Sequence, residues 1–370
     1  MDVSWLTSEE GREAIAALAD VDPLHARSRF PHLRPDQINA ALSQARHRPP
    51  DFPLSLVTVD GVQQASPVAV AQRRAQRLAE SGVTTVIDAG CGIGMDSWAF
   101  ARAGLRVLAY ELDPTTADVA RANLAGLDVE VVTGDATASP LPPGALYVDP
   151  ARRRTHQDAA GRPLRIRDPE QWRPAWSWVV DQARHREVVA RIRPGFRDVP
   201  EQAEWHCSSI GRRLVDATVW FPPLARTASR ASVHDGGSWH ELSTPVAQAA
   251  AGPVGRYVID PDPAIVRAGL VTNAAHLADG HLLDPYLAFV TCDTTAPAWL
   301  GRCMEVVEQV HLKGIGTACR RRGWRTATLW ARGFQRPPDI GVPPGNDAVV
   351  VAARLGASRS SVAWLGIPVH

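Results

Sequence analysis

The residues with the clearest chemical use form a glycine-rich turn that follows the apolar residues Val86 and Ile87. The turn has the sequence Asp88-Ala89-Gly90-Cys91-Gly92-Ile93-Gly94. An apolar, β-branched run that leads into an acid and spaced glycines predicts a buried parallel strand, a tight turn and a helix that begins near Met95. Glycine lets the backbone lie against a ligand where a Cβ would collide, and free N–H groups at a helix start favour a polar or anionic group. A plain surface turn is the alternative interpretation.

Acidic residues follow the next predicted strands, which cover 105–110, 129–133 and 145–148. In doubly wound sheets a ligand meets the carboxyl ends of the strands, and a carboxylate after the second strand can accept hydrogen bonds from both ribose hydroxyls. The acids and their neighbours are Glu111, Asp135 with Ala136, and Asp149 with Pro150. We expect them to surround one ligand, although Asp135 and the Asp-Pro pair could also be ordinary turn residues.

The glycine spacing resembles the cofactor-binding turn of class I S-adenosylmethionine-dependent methyltransferases. A dinucleotide-binding turn has its third glycine three residues after the second, whereas Gly94 comes two residues after Gly92. The resemblance extends over roughly residues 60 to 245. It implies S-adenosyl-L-methionine as cofactor and an α/β fold with a doubly wound sheet, mostly parallel, that ends in an antiparallel hairpin.

The same resemblance assigns roles to individual residues. It implies that Glu111 binds the ribose and that Asp135, with Ala136, lies beside the adenine. It also implies that Asp149 lies close to the methyl group that is transferred. The residues that would hold the methionine part are Asp88, Ala89, Gly90, Cys91, Gly92 and Gly94.

A helix start is predicted just before the first strand. Ser66 is a candidate N-cap, with Pro67 at the first helical position. This segment resembles that of the trimethylguanosine-synthase group of RNA methyltransferases, where a Ser/Thr-Pro helix start precedes the cofactor turn. The resemblance implies that Gln64 and Ser66 contact the methionine end of the cofactor; a cap without any ligand is the alternative.

The sequence Asp149-Pro150-Ala151-Arg152-Arg153 marks the predicted chemical centre. It is similar to the Asp/Asn/Ser-Pro-Pro-aromatic motif of methyltransferases that act on amino groups of bases, and this similarity implies that Asp149 and Pro150 are catalytic. Ala151 and Arg152 replace the second proline and the aromatic residue, although an arginine plane can also stack on a base. The sequence also resembles a bacterial group in which a THUMP-like domain follows the methyltransferase domain. Arg152 and Arg153 are candidate RNA-binding residues.

At 370 residues the chain is too long for one ordinary core. We predict a helical N-terminal extension over 1–50, with helices that begin near Ser8 and Pro35. A methyltransferase domain over 51–245 follows. An Ala-, Gly- and Pro-rich linker begins at Thr244, and 246–370 resembles the THUMP-like α+β domain.

A second group of basic residues lies in this last segment. Lys313 is the single lysine of the chain, and Arg320 and Arg321 follow it at the end of a predicted helix. Trp324 and Trp330 come soon after, and this mixture of charge and aromatic rings is typical of an RNA-binding face. Helix-end arginines favoured by the helix dipole, with two core tryptophans, are an equally good interpretation.

The bulk composition sets limits on the function. The formal net charge is +1, so any nucleic-acid contact must come from a local patch. The five cysteines have no paired spacing, which predicts a reducing cytoplasm and no zinc site. The first twenty residues contain acids and no apolar block, and no run is long enough for a membrane span.

The sequence therefore predicts a cytoplasmic methyltransferase that uses S-adenosyl-L-methionine and needs no metal or membrane. The predicted acceptor is an amino group of a base in RNA, without distinction between tRNA and rRNA. Two alternatives stay open. One is transfer to a small molecule or protein, and the other is a catalytically silent RNA-binding protein that retains the fold.

Overall fold

The computed structural model describes residues 2–151, 153–157, 163–244, 246–247, 249–356 and 360–369. The chain forms two compact units. The first consists of Met1–Arg193 with Thr218–Ala225, and the second of Pro194–Ala217 with Arg226–His370. Residues 1–50 fall in the first unit, and most of 194–245 falls in the second. The predicted domain boundaries at 50 and 245 stay predictions.

The elements of the described residues are numbered in chain order. The helices are α1 (Val3–Thr7), α2 (Glu9–Leu18), α3 (Pro23–Arg29), α4 (Pro35–His47), α5 (Val59–Gln64), α6 (Val68–Glu80), α7 (Met95–Arg102), α8 (Pro114–Leu124), α9 (Trp176–Gln182), α10 (Pro263–Arg267), α11 (Val271–Leu277) and α12 (Ile315–Arg321). The strands are β1 (Thr85–Ala89), β2 (Arg106–Glu111), β3 (Val129–Thr133), β4 (Ala145–Val148), β5 (Arg153–Gln157), β6 (Pro163–Arg165), β7 (Val188–Arg191), β8 (Glu204–Ile210), β9 (Arg213–Trp220), β10 (Ser229–His234), β11 (Trp239–Ser243), β12 (Tyr257–Pro261), β13 (His281–Leu282), β14 (Val290–Cys292), β15 (Gly301–Val310), β16 (Ala327–Arg332), β17 (Ala348–Leu355) and β18 (Ser360–Pro368).

The first unit is organised around a parallel sheet. Its strands lie in the order β3-β2-β1-β4-β7, and residues 218–220 at the end of β9 pair antiparallel with β7. Val86 pairs with Val107 on one side and with Ala145 on the other. Because β1 and β4 are buried along nearly their whole length, both faces of the sheet need cover, as is typical of doubly wound folds. The prediction of a mostly parallel sheet is confirmed.

Helices α1 to α4 belong to the first unit, and their apolar residues join the same core as β1 and β2. Ser8 caps α2 by accepting a hydrogen bond from the N–H of Gly11 at 3.1 Å. The predicted helix starts at Ser8 and Pro35 are confirmed. Helix α3 was not predicted, although Asp22 and Pro23 form a cap and first-turn pair there.

The second unit contains two groups of strands. Strand β10 pairs in parallel with β8 and antiparallel with β11, and α10 packs on β8 and β10. A seven-stranded sheet has the order β13-β14-β12-β15-β18-β17-β16. Strands β10 and β11 were not predicted from the sequence.

Several general features concern the described residues alone. None of their helices is long and apolar enough to span a membrane. Groups of three or more His, Cys, Asp or Glu side chains that could hold a metal ion do not occur among them. All five cysteines are buried free thiols.

Candidate functional site

The glycine turn is held between β1 and β2. The N–H groups of Gly90 and Cys91 both donate to the carbonyl of Tyr110, at 3.0 and 2.9 Å. Gly90 and Gly94 have φ angles of +104° and +94°, which residues with a Cβ rarely adopt. A Cβ at Gly94 would also lie 2.9 Å from the side chain of Leu124. The turn therefore requires glycine at Gly94 for both its conformation and its packing.

A pocket of about 340 Å³ opens beside this turn, at the carboxyl ends of β1, β2 and β3. Pockets of this size and larger are typical of small-molecule sites. The lining residues are Ala89, Gly90, Tyr110, Leu112, Gly134, Asp135, Ala136, Thr137, Trp172, Arg173, Pro174, Ala175 and Trp178. The open space over Gly90, where the nearest atom to an added Cβ would be 3.9 Å away, and the mixture of apolar walls with one carboxylate fit a nucleoside group.

Four predicted cofactor residues line this pocket: Ala89, Gly90, Asp135 and Ala136. The opposite wall of the pocket was not predicted; the half-buried Trp178 and the segment before it form this wall. In that segment Trp172 and Trp176 are buried, with ring centroids 6.4 Å apart. The helical spacing in the sequence gave no indication that this helix start borders a cavity.

Asp135 is exposed, and its carboxylate accepts hydrogen bonds. Its Oδ1 accepts from the N–H and the hydroxyl of Thr137, at 2.8 and 2.7 Å. The hydrogen bond from the backbone N–H of Thr137, followed by that from its hydroxyl, lowers the pKa of Asp135 below its usual value. Asp135 is therefore an ionised acceptor at the pocket wall.

Glu111 is directed to the glycine turn. Its Oε2 accepts from the N–H of Gly92 at 2.9 Å, and its Oε1 accepts from the N–H of Asp113 at 2.9 Å. The pocket lining does not include Glu111. The structure thus brings this acid to the turn, while its contact with a ribose stays a prediction.

Asp88 lies behind the turn, in the core. Its side chain is 1% exposed, and Oδ2 accepts from the hydroxyl of Ser97 at 2.6 Å. Oδ1 is buried without a hydrogen-bond partner in the described part of the chain. Burial first, and then the nearby carboxylates of Asp96 and Asp149, raise the pKa of Asp88 to about 8. Asp88 is therefore mostly protonated at neutral pH.

A buried polar cluster joins α6, α7 and β4. The hydroxyl of Ser66 donates to Asp96 at 2.8 Å, and Arg74 donates to Asp96 and, at 3.0 Å, to the hydroxyl of Tyr147. The prediction that Ser66 caps a helix is wrong, because α6 begins at Val68 with Pro67 as its N-cap residue. The carboxylate of Asp96 competes for the Ser66 hydroxyl and binds it in the core.

Asp149 pairs with an arginine that sequence analysis did not single out. Arg191 Nη1 donates to Asp149 Oδ2 at 2.7 Å and to the carbonyl of Gln64 at 2.8 Å. The side chains of Asp149 and Arg191 are 24% and 14% exposed. The carbonyl oxygen of Asp149 lies 3.9 Å from the position of a Cβ on Gly90. Gln64, Asp149 and the glycine turn are therefore neighbours, and Arg191 links the first two; contact of Gln64 and Asp149 with a cofactor stays a prediction.

The predicted RNA-binding residues fall into both units. Arg152 lies outside the described residues, and only the backbone of Arg153 is described, at the start of β5. In the second unit Lys313 is exposed, Arg320 donates to Thr317 at 3.2 Å, and Arg321 forms an ion pair with Glu308 at 2.6 Å.

The aromatic part of the predicted RNA-binding face is divided. Trp330 is buried and lies under the guanidinium of Arg302, at 4.6 Å from the ring centroid. Trp324 is half-buried and is covered in the same way by Arg322, at 5.5 Å. Of the two interpretations of these tryptophans, Trp330 follows the one that places it in the core.

Comparisons with known proteins agree with this geometry. The family model described as a methyltransferase domain matches residues 86–148, which contain the glycine turn, all of β1 except its first residue, and strands β2 to β4. A relative named as an uncharacterized S-adenosylmethionine-dependent methyltransferase, from Mycobacterium tuberculosis CDC 1551, is 31% identical over 322 residues. The match covers 83% of this chain and 86% of the relative. A relative of the same description from Mycobacterium tuberculosis H37Rv has the same identity and coverage.

Among solved structures, a protein from Porphyromonas gingivalis W83 that carries a methyltransferase name has a TM-score of 0.73 at 17% identity. The match covers 97% of this chain and 99% of that chain, so the two share a fold. The identity with the mycobacterial relatives extends well beyond the glycine turn. The chain therefore belongs to the S-adenosylmethionine-dependent methyltransferases.

Proposed function

We propose that the chain is a cytoplasmic enzyme that transfers a methyl group to an amino group of a base in RNA. The observation that carries this proposal is the position of Asp149 and Pro150, which follow β4 beside the glycine turn. Ligands of doubly wound sheets bind at these strand ends. Free, buried thiols among the described residues support a reducing compartment.

The cofactor would be held by the turn and by the pocket beside it. Gly90, Gly92 and Gly94, with Ala89, Cys91 and the buried Asp88 behind them, would support the methionine part. Glu111 would accept from the ribose hydroxyls, and Asp135 with Ala136 would contact the adenine. Gln64 and Ser66 would border the methionine end. When bound, S-adenosyl-L-methionine supplies a methyl group activated by the positive charge on sulfur.

Asp149 acts on the acceptor in this proposal. The lone pair of an exocyclic base amine is delocalised, so the carboxylate accepts a hydrogen bond from the amine N–H and orients the nitrogen. A carboxylate offers about four lone-pair sites, so the hydrogen bond from Arg191 does not saturate Asp149. The proton released from the amine after transfer passes to solvent. Positioning contributes most of the acceleration in such a reaction.

The residues that would bind RNA are Arg152, Arg153, Lys313, Arg320 and Arg321. Glu308 already pairs with Arg321 and, at 3.0 Å, with Arg322, so this face contributes less positive charge than the sequence suggests. That pairing favours the second candidate function, methylation of a small molecule or a protein.

We propose a THUMP-like domain over 246–370, after a helical extension over 1–50 and a methyltransferase domain over 51–245.

The deciding experiment is incubation with labelled methyl donor and fractionated cellular RNA, followed by nucleoside analysis. We expect label in one methylated base, and we expect RNase treatment of the extract to remove the accepting activity. Label that survives RNase and appears in protein or in a small molecule would refute the RNA proposal. Absence of any transfer, together with absence of S-adenosylhomocysteine binding by calorimetry, would indicate a catalytically silent protein.

A further inference from the structure

One carboxylate in the second unit holds three arginines. Asp260, which is 6% exposed, lies in β12. Arg302 donates two hydrogen bonds to its Oδ2, and Arg332 donates one to Oδ1 at 2.6 Å. The guanidinium of Arg212 is 3.8 Å from Oδ2 and also donates to the backbone carbonyl of Asp260. The arginines come from three different elements: the turn between β8 and β9, strand β15 and strand β16.

The charges of this arginine cluster do not balance. Each arginine keeps its positive charge, and Asp260 is the carboxylate within ion-pair distance of all three in the described part of the chain. A further acid that interacts electrostatically with Arg212, Asp262, is fully buried and accepts from Ser209 at 2.6 Å and from the N–H of Ala264 at 2.8 Å. Even with Asp262 ionised, three guanidiniums face two carboxylates, and an excess of positive charge remains.

The guanidiniums are fixed and yet reach solvent. Arg302 stacks on Trp330 at 4.6 Å, and Arg332 stacks on Phe289 at 5.2 Å, measured to the ring centroids. The side chains of Arg302, Arg212 and Arg332 remain 39%, 33% and 29% exposed. Arginine side chains normally lose much freedom when they bind an anion. Here the side chain and carbonyl of Asp260 already hold all three, and aromatic rings also hold Arg302 and Arg332, which favours binding of a further anion.

An exposed aromatic side chain lies three residues before Phe289, the residue on which Arg332 stacks. Tyr286 is 88% exposed. The carboxylate of Asp284 accepts from the N–H groups of Tyr286 and Gly356, at 2.8 and 2.6 Å. Arg332 pairs in register with Ala353, three residues before Gly356, a distance of about 10 Å along an extended strand. A ring exposed beside basic groups is typical of surfaces that stack bases of single-stranded nucleic acid.

We propose that Arg212, Arg302 and Arg332 form a phosphate-binding site, separate from the Lys313 and Arg320 region, that takes a phosphodiester of single-stranded RNA. Arginine pairs bind phosphate through several N–H donors at once. The assignment of the phosphate to RNA rests on the proposed function, whereas the existence of the anion site does not depend on it. A free phosphate or a phosphorylated small molecule has the same chemistry, so the experiment distinguishes these sources.

The test uses the full chain and two probes. Inorganic phosphate is compared with chloride at equal ionic strength for its effect on the melting temperature. A fluorescent single-stranded RNA of about twelve nucleotides is titrated at several salt concentrations. The variants are Arg302→Gln and Arg212→Gln. The matched control is Arg256→Gln, since Arg256 pairs with one carboxylate, Glu305, at 2.9 Å and is 60% exposed.

We expect phosphate to raise the melting temperature of the wild type and of the Arg256→Gln variant, and to raise that of the cluster variants less. We expect RNA affinity to fall roughly fivefold in a cluster variant, with a salt dependence smaller by about one counterion. Arg212→Gln keeps the proposal testable if Arg302→Gln does not fold, because Arg302 and Arg332 would still hold Asp260. Tyr286→Ala should weaken RNA binding and leave the phosphate effect unchanged.

The outcomes are distinct. Phosphate protection without RNA binding would retain the anion site and overturn RNA as its source. Equal behaviour of the cluster variants and Arg256→Gln with both probes would overturn the site and leave the arginines as struts between strands. Because binding is measured without methyl transfer, failure of the methylation assay would count against the proposed function alone.

Discussion

Arg191 Nη1 lies 2.7 Å from Asp149 Oδ2, and the same nitrogen also donates a hydrogen bond to the carbonyl of Gln64. Val148 pairs in register with Ala190, so the next residue in each parallel strand lies in the same row at the sheet edge. One guanidinium therefore holds both the proposed catalytic carboxylate of Asp149 and the end of α5 at Gln64. Arg191 is a positioning residue in this arrangement.

Replacement of Arg191 by Gln should therefore affect catalysis more than cofactor binding. The loss of a part-buried, charge-assisted hydrogen bond should lower the free energy of unfolding by about 2 kcal/mol. We expect kcat to fall at least roughly tenfold, with a smaller change in S-adenosylhomocysteine affinity. The measurements are urea unfolding, calorimetry and steady-state kinetics. Arg193→Gln is the control, because Arg193 is exposed two residues further along. Equal effects of the two substitutions on kcat would contradict the positioning role.

Asp149→Ala should abolish methyl transfer, because the acceptor amine would lose the hydrogen bond that orients it. Binding of S-adenosylhomocysteine should change less than about threefold, since Asp149 is absent from the pocket lining. Asp149→Asn keeps a carbonyl acceptor of the same shape and should retain part of the activity. Single-turnover assays with labelled donor and calorimetry measure both quantities. Normal single-turnover methylation by the Ala variant would refute the assignment.

Local signals in the sequence predicted the elements around the glycine turn well. The β-branched run before Asp88 and the glycine turn before Met95 depend on neighbours along the chain, and β1 and α7 form where predicted. The prediction that Ser66 caps a helix failed because of a contact that is distant in sequence. The cap pattern is local, but the carboxylate of Asp96, thirty residues away, binds the Ser66 hydroxyl.

The partners of the predicted acids could not be predicted from the sequence in the same way. Arg191 meets Asp149 because β4 and β7 are neighbours in register, and register depends on the strand order of the whole sheet. Arg74 is 3% exposed. A buried arginine usually has an acidic partner, and the partner of Arg74 is Asp96. Its spacing from Ala71 and Leu78 on one face of α6 was a usable signal for burial. The wall around Trp178 follows from tertiary packing alone.

Gly94→Ala should disturb the turn and with it cofactor binding. The new Cβ would lie 2.9 Å from Leu124 at a φ of +94°, and the left-handed conformation alone costs about 1–2 kcal/mol. Gly82→Ala is the matched control, with a φ of +84° and no atom within 4 Å of the added Cβ. We expect both variants to be less stable, and only Gly94→Ala to lose S-adenosylhomocysteine affinity, by roughly tenfold. Unchanged affinity in both would mean that the turn does not contact the cofactor.

Asp88→Asn should stabilise the protein increasingly as the pH rises. The pKa of Asp88 is raised to about 8 in the folded state, so above its unfolded value near 4 the folded protein holds a proton that the unfolded chain has lost. The wild type consequently loses stability from about pH 4 to about pH 8, after which both states are ionised and the loss is constant. Asn has the shape of the protonated acid, can still accept from Ser97, and does not titrate. We expect the difference in melting temperature between the variant and the wild type to grow across that range and to level off above it.

Asp135→Asn should behave differently, since hydrogen bonds from Thr137 lower the pKa of Asp135 and its contribution is lost only as the pH falls through that lowered value. A difference for Asp88→Asn that is constant from about pH 5 to about pH 8 would show that Asp88 is ionised in the fold, and the carboxylate would then have to be reassigned as a charged group behind the glycine turn.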